Sequence, residues 1–210
     1  MPIRTLLCCA AACLVTVPNV FAAVVWNEAT AGDLSNSGTS PTFIALAAGS
    51  NQILGTTGAG AAGVDRDYFS FTLPAGGKLL SLTVLPGTGV LGNVSFIGVQ
   101  SGPQVTVLPT SASAAGLLGW THYGAADVGT NILPRIGIAS NGSTGFSAPL
   151  GAGTYSFWIQ EFGSGSASYG FDLSVALVPE PAEAALMLAG LAVVVAGASR
   201  RAANQFVAKQ

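Results

Sequence analysis

Cysteine is scarce and confined to one end: Cys8, Cys9 and Cys13 are the only three. Beyond them the chain can build no disulfide, thiolate metal site or cysteine nucleophile. Histidine is rarer still, with His122 alone. That rules out a zinc site of the usual nitrogen and sulfur ligands and leaves one candidate base for a Ser-His-Asp arrangement. Charge is thin, at 8% of residues. Between Val24 and Leu177 the cations are Arg66, Lys78 and Arg135, and the acids are Glu28, Asp33, Asp65, Asp67, Asp127, Glu161 and Asp172. Three against seven leaves a net charge of −4 and no basic patch, which excludes nucleic acid as a partner. No helical hydrophobic period occurs before Glu183.

What is present begins with two segments that read as export signals. Residues 1–23 carry one cation, Arg4, then an apolar stretch from Leu6 to Val17, then Val20-Phe21-Ala22. That order is a secretory signal peptide, with signal peptidase expected to cut after Ala22 or Ala23. A lipoprotein reading at Cys13 meets Ala10 where a larger aliphatic residue is usual. At the other end, Val178-Pro179-Glu180-Pro181 precedes an uncharged run from Ala184 to Ala198 and then Arg200-Arg201. The prolines keep the motif extended ahead of any helix. Fifteen residues of helix, the expected span 184–198, reach about 22 Å. A bilayer core is roughly 30 Å thick, so the run is short for a permanent anchor. The arginines would remain cytoplasmic.

Residues 24–177 form the expected exported domain, long enough for one self-sufficient core. Its pattern has period two. Phe69, Phe71 and Leu73 alternate with Tyr68, Ser70 and Thr72. Leu80, Leu82 and Val84 are expected on one face. Tyr155, Phe157 and Ile159 oppose Ser156, Trp158 and Gln160, and Tyr169, Phe171, Leu173, Val175 and Leu177 oppose Gly170, Asp172, Ser174 and Ala176. Strict alternation marks strands with one buried face. Further strands are expected at 42–47, 93–100, 104–108 and 117–121, with turns at Pro74-Ala75-Gly76-Gly77, Pro86-Gly87, Asn141-Gly142 and Gly151-Ala152-Gly153. The glycine-rich tract Gly55–Gly63 is expected as a flexible loop. The predicted class is all-β: an antiparallel sandwich with no helix longer than about three turns. Its core is Phe69, Phe71, Leu73, Leu82, Val84, Tyr155, Phe157, Ile159, Phe171, Leu173 and Val175.

Two resemblances extend this reading. "GVDRDYFSFTLPAGGKLLSLTV" and "LGAGTYSFWIQEFGSGSASYGFDLSV" resemble the strand signatures of the bacterial pre-peptidase C-terminal type domain. The first carries Asp-x-Asp-x-x-x-Phe leading into Leu-x-Ala-Gly, and the second a Gly-x-Tyr hairpin. That resemblance implies a jelly-roll-like β-sandwich, with residues 104–146 lacking a counterpart. Val178, Pro179, Glu180 and Pro181, the apolar run, and Arg200 and Arg201 resemble the PEP-CTERM sorting signal of Gram-negative bacteria. This second resemblance implies an exosortase as processing partner. It also implies export across the inner membrane, transient anchoring there, and delivery to the cell surface or an exopolysaccharide-rich biofilm matrix.

Catalytic chemistry finds little support in the sequence. His122 sits in "GWTHYG" between aromatics, and no Gly-x-Ser-x-Gly elbow is present. Asp65 and Asp67, spaced Asp-x-Asp at a strand entry, are the best candidate oxygen ligands for calcium, against capping of a turn or strand end. Trp120, Tyr123 and Trp158 are candidate sugar-stacking residues, Trp158 falling on the polar side of its strand, against packing under a loop or second sheet. The Asn93 and Asn141 sequons are incidental in a bacterium. The expected role is that of a non-enzymatic structural or interaction protein at the cell surface. A carbohydrate-binding module is the alternative, and a hydrolase the third reading.

Overall fold

Residues 22–61, 63–91, 95–177 and 187–195 are described in the computed structural model. Strands dominate them. β1 (Ala23–Asn27) runs into a single helical turn, α1 (Glu28–Ala31), where the Ala29 amide donates to the Asn27 side chain. There follow β2 (Thr42–Phe43), β3 (Gly49–Gly60), β4 (Gly63–Leu73), β5 (Lys78–Val84), β6 (Ser95–Ser101) and β7 (Gly119–Tyr123). A second short helix, α2 (Leu133–Ile136), precedes β8 (Gly153–Gln160) and β9 (Gly165–Ala176). Both helices of this stretch are four residues long, so the fold is all-β as expected.

The strands hydrogen-bond in the order β5-β9-β3-β4-β8-β6-β7 and curl into a sandwich-like sheet. β3 and β4 share only the three pairs nearest their tight turn, Gly58–Gly60 against Gly63–Asp65. Beyond that corner they diverge, each to its own leaf. β3 continues along β9 from Gly58–Ser166 to Gly49–Val175, and β4 along β8 from Arg66–Gln160 to Leu73–Gly153. Long pairings are antiparallel, whereas β1 on β3 and β2 on β4 are short parallel additions.

Between the leaves lies the main core. Every residue expected there is buried in it: Phe69, Phe71, Leu73, Leu82, Val84, Tyr155, Phe157, Ile159, Phe171, Leu173 and Val175. Phe69 stacks on Phe157 at 5.3 Å between centroids, and Phe171 meets Tyr123 edge-on at 5.1 Å. Burying each such side chain is worth about 1.5–3 kcal/mol. Leu133 and Ile136 of α2 join the same core.

Four expectations need correction. Leu80 is exposed and Leu79 is buried, because the β5–β9 register shifts between Leu79 and Ser81 and inverts the alternation there. Gly55–Gly63 is not a loop. Gly55–Gly60 is the second half of β3 and Gly63 opens β4, and two of the tract's glycines sit where chains crowd: a Cβ on Gly55 would strike the Tyr169 hydroxyl, and one on Gly58 the Gly165 carbonyl. Residues 104–108 form no strand and instead cross the outside of the sheet, the Val105 amide donating to the Gly38 carbonyl at 2.7 Å. The strand expected at 42–47 shrinks to Thr42–Phe43.

Candidate functional site

The phase of β4 that turns Phe69 and Phe71 inward also turns Asp65 and Asp67 toward the inner face. Asp67, opposite Ile159, is fully buried, and neither of its carboxylate oxygens has a hydrogen-bond partner. It does not cap a turn or blunt a strand end. Two acids from the N-terminal segment meet it. Glu28 opens α1 and Asp33 follows it, and one carboxylate oxygen from each of Glu28, Asp33 and Asp67 lies within 4.8 Å of the others. Asp65 stands two residues before Asp67, outside this trio but within its electrostatic reach.

Glu28 is firmly placed. Its Oε1 accepts from the Leu34 amide at 3.1 Å, and its Oε2 accepts from the Thr56 amide at 2.7 Å. Gly55 makes room for this, since a Cβ there would collide with the Tyr169 hydroxyl and approach the Glu28 carboxyl carbon. The Tyr169 hydroxyl is itself buried beside Asp67, within hydrogen-bonding reach of it but without a well-formed hydrogen bond.

The crowding shows in the acidities. Burial pushes Asp67 up to about 9; Tyr169 opposes this, while the charges of Glu28, Asp65 and Asp33 add to it. Burial also raises Glu28 above its ordinary value, against the pull of the Leu34 and Thr56 amides. Asp65 is raised by burial and by Asp33, and eased by Asn36. No cation answers the cluster among the described residues. Arg66, the next residue, turns away: its Nε donates to Gln160 and its guanidinium lies over Phe162. Arg135 is committed to Asp127 at 2.8 Å. The arrangement is a partly solvent-reaching, all-oxygen pocket of the hard-donor type that suits calcium.

The three candidate aromatics do not make one surface. Tyr123 faces the main core and is 1% exposed. Trp158 is 4% exposed, because Val105, Ala114 and Leu117 cover the outer face of β8; it lies beside Tyr68 and Phe96 in a second hydrophobic cluster. Its packing is that of a core residue under a loop, so neither residue can stack on a sugar in this structure. Trp120 is half-buried, stacked on Phe96 at 5.9 Å, and its Nε1 donates to the Ser140 carbonyl. His122 is exposed, edge-on to Trp120 at 5.4 Å. A cavity of about 190 Å³ opens beside Trp120, His122, Leu117 and Gln160. Asn141 lies in a turn and donates to the Ala112 carbonyl.

Other expected features lie outside the described residues: the leader through residue 21 with Cys8, Cys9 and Cys13, the Asn93 sequon, the motif Val178, Pro179, Glu180 and Pro181, and Arg200 and Arg201. Of the expected helix 184–198, residues 187–195 are described and are helical. Among the described residues no helix is long and apolar enough to cross a membrane. No family model, curated protein or solved structure matches this chain.

Proposed function

We propose that this chain is an exported, non-enzymatic cell-surface or matrix protein of a Gram-negative bacterium, with a jelly-roll-like β-sandwich as its working part. The observation that carries the reading is the order Val178-Pro179-Glu180-Pro181, apolar run, Arg200-Arg201, downstream of the domain. A run too short to span a bilayer comfortably, preceded by a motif whose prolines disfavour helix, suits a processed address better than an anchor. In this reading signal peptidase removes the leader, residues 184–198 hold the chain transiently in the inner membrane, and an exosortase acts near Pro179-Glu180-Pro181. The domain then reaches the surface or an exopolysaccharide matrix.

Mass spectrometry on protein released from the surface of the native host tests this. Processed protein should end near Val178 and lack every peptide beyond Ala184. Surface protein that still carries the tail through Gln210 would show the segment to be an anchor.

The shallow cavity beside Trp120 supports a second reading, a carbohydrate-binding module. Its test is a glycan-array signal that Trp120→Ala abolishes. Trp158→Ala is the wrong variant here, because it would hollow out a packed cluster.

A further inference from the structure

We propose that Glu28, Asp33 and Asp67 bind one calcium ion, which ties the segment after β1 to β4 at the inner corner of the sheet. The trio's oxygens lie within 4.8 Å of one another, which is the diameter of a coordination shell with Ca–O distances of about 2.4 Å. Proximity alone would be only an acidic cluster. The independent observation is Asp67, fully buried with both oxygens unpartnered. A buried carboxylate without a partner is expensive. A proton would remove the charge of Asp67 alone, whereas a cation answers the charges of Glu28, Asp33 and Asp67 together.

Three further features fit. The Tyr169 hydroxyl, buried and unpartnered beside Asp67, offers another oxygen to the ion or to a water on it. Glu28 is already oriented by the Leu34 and Thr56 amides, so little ordering is left to accomplish on binding. The ligands also grade in depth, with Asp33 exposed, Glu28 half-buried and Asp67 buried, which leaves an approach from solvent. Asp65 adds negative potential from the same face of β4. Oxygen-only donors disfavour zinc. Ligands of unequal exposure from two distant segments of the chain suit the adaptable shell of calcium better than the strict octahedron of magnesium.

The test uses the whole chain in mild detergent, stripped with EGTA and titrated with CaCl2, MgCl2 or ZnCl2 by calorimetry and thermal melting. Calcium should bind one per chain, with a Kd of about 10⁻⁴–10⁻³ M or tighter. At a hundredfold excess over Kd it should raise Tm by about 5–10 °C. Terbium in its place should luminesce on excitation of the nearby Tyr169. Asp33→Asn, an exposed change that leaves the core untouched, should weaken calcium at least about tenfold through the lost ligand charge. Asp67→Asn should abolish the calcium-induced rise while melting no lower than the stripped wild type, since the amide keeps the shape of the neutral carboxyl and carries no charge to bury. No calcium uptake, tighter binding of magnesium or zinc, or unchanged calcium affinity in both variants would each overturn the proposal.

Discussion

Glu161 shows how one acid can be held ionised where another is not. Its Oε1 accepts from the Phe162 and Gly163 amides, and its Oε2 from the Leu91 amide and the Ser95 hydroxyl. Burial alone would raise its pKa, yet the donors, the Gly163 amide foremost, hold it below its ordinary value of 4.5. A folded value below the unfolded one contributes stability that is present above pH 4.5 and is lost as pH falls through the folded value. Glu161→Gln should therefore cost roughly 1.5–3 kcal/mol at pH 7. The deficit should shrink as the pH falls below 4.5, because wild type loses the same term on protonation. Urea midpoints at pH 7 and pH 3 measure it, and a pH-independent deficit would contradict the assignment. Gly55 makes a different demand. Its Cβ-free surface admits both Tyr169 and Glu28, so Gly55→Ala should destabilise by about 1–3 kcal/mol through overpacking. A thermal melt within a degree of wild type would show that the neighbours yield.

Among the elements, β5 is the sharpest case. Its bulge places Leu79 in the core and Leu80 in solvent. Leu79→Ala should cost about 2–5 kcal/mol, while Leu80→Ala should stay within about 0.5 kcal/mol. Equal costs in chemical denaturation would contradict this register. Alternation in "KLLSLTVL" points to Leu80 because a period-two pattern assumes an unbroken register, and the adjacent pair Leu79-Leu80 cannot show where one residue slips. Elsewhere the same rule sufficed: β4, β8 and β9 have their core faces in phase with the sequence. The rule failed for β3 because glycine and threonine supply little alternation, and the tract becomes a strand only through its partner β9. Residues 103–118 carry no period, and their burial of Trp158 is a tertiary event. At the acidic site Asp65 and Asp67 were legible. Glu28 and Asp33 were not, since no local pattern links them to a strand more than thirty residues away. The available signal was an acid in phase with Phe69 and Phe71.

At the scale of the whole molecule, the pairing is distant in sequence: β9 closes against β3, joining Gly49 to Val175. Loop closure over such spans precedes most of the stabilising contacts, so refolding should fall in the slow range of β domains, about milliseconds to seconds. β9 is also the strand neighbour of β5. Deleting Gly165–Ala176 should therefore abolish near-ultraviolet circular dichroism and chemical-shift dispersion rather than merely lower Tm. A cooperative melt in the truncated chain would show that the remaining strands close without it.

β9 ends at Ala176, and Val178 begins the tail motif two residues later. β9 is also flanked on both sides, by β3 over ten pairs and by β5 over six. Any pull on the chain beyond Leu177 is thus delivered along the axis of an interior strand. An edge strand would peel away one bond at a time, but this one must slide past two neighbours at once. Resistance to such a load is set by the height of the unfolding barrier rather than by equilibrium stability. The chain beyond Leu177 therefore leaves from the strand best placed to bear tension, so traction on it should meet the combined resistance of two strand interfaces before the sheet opens.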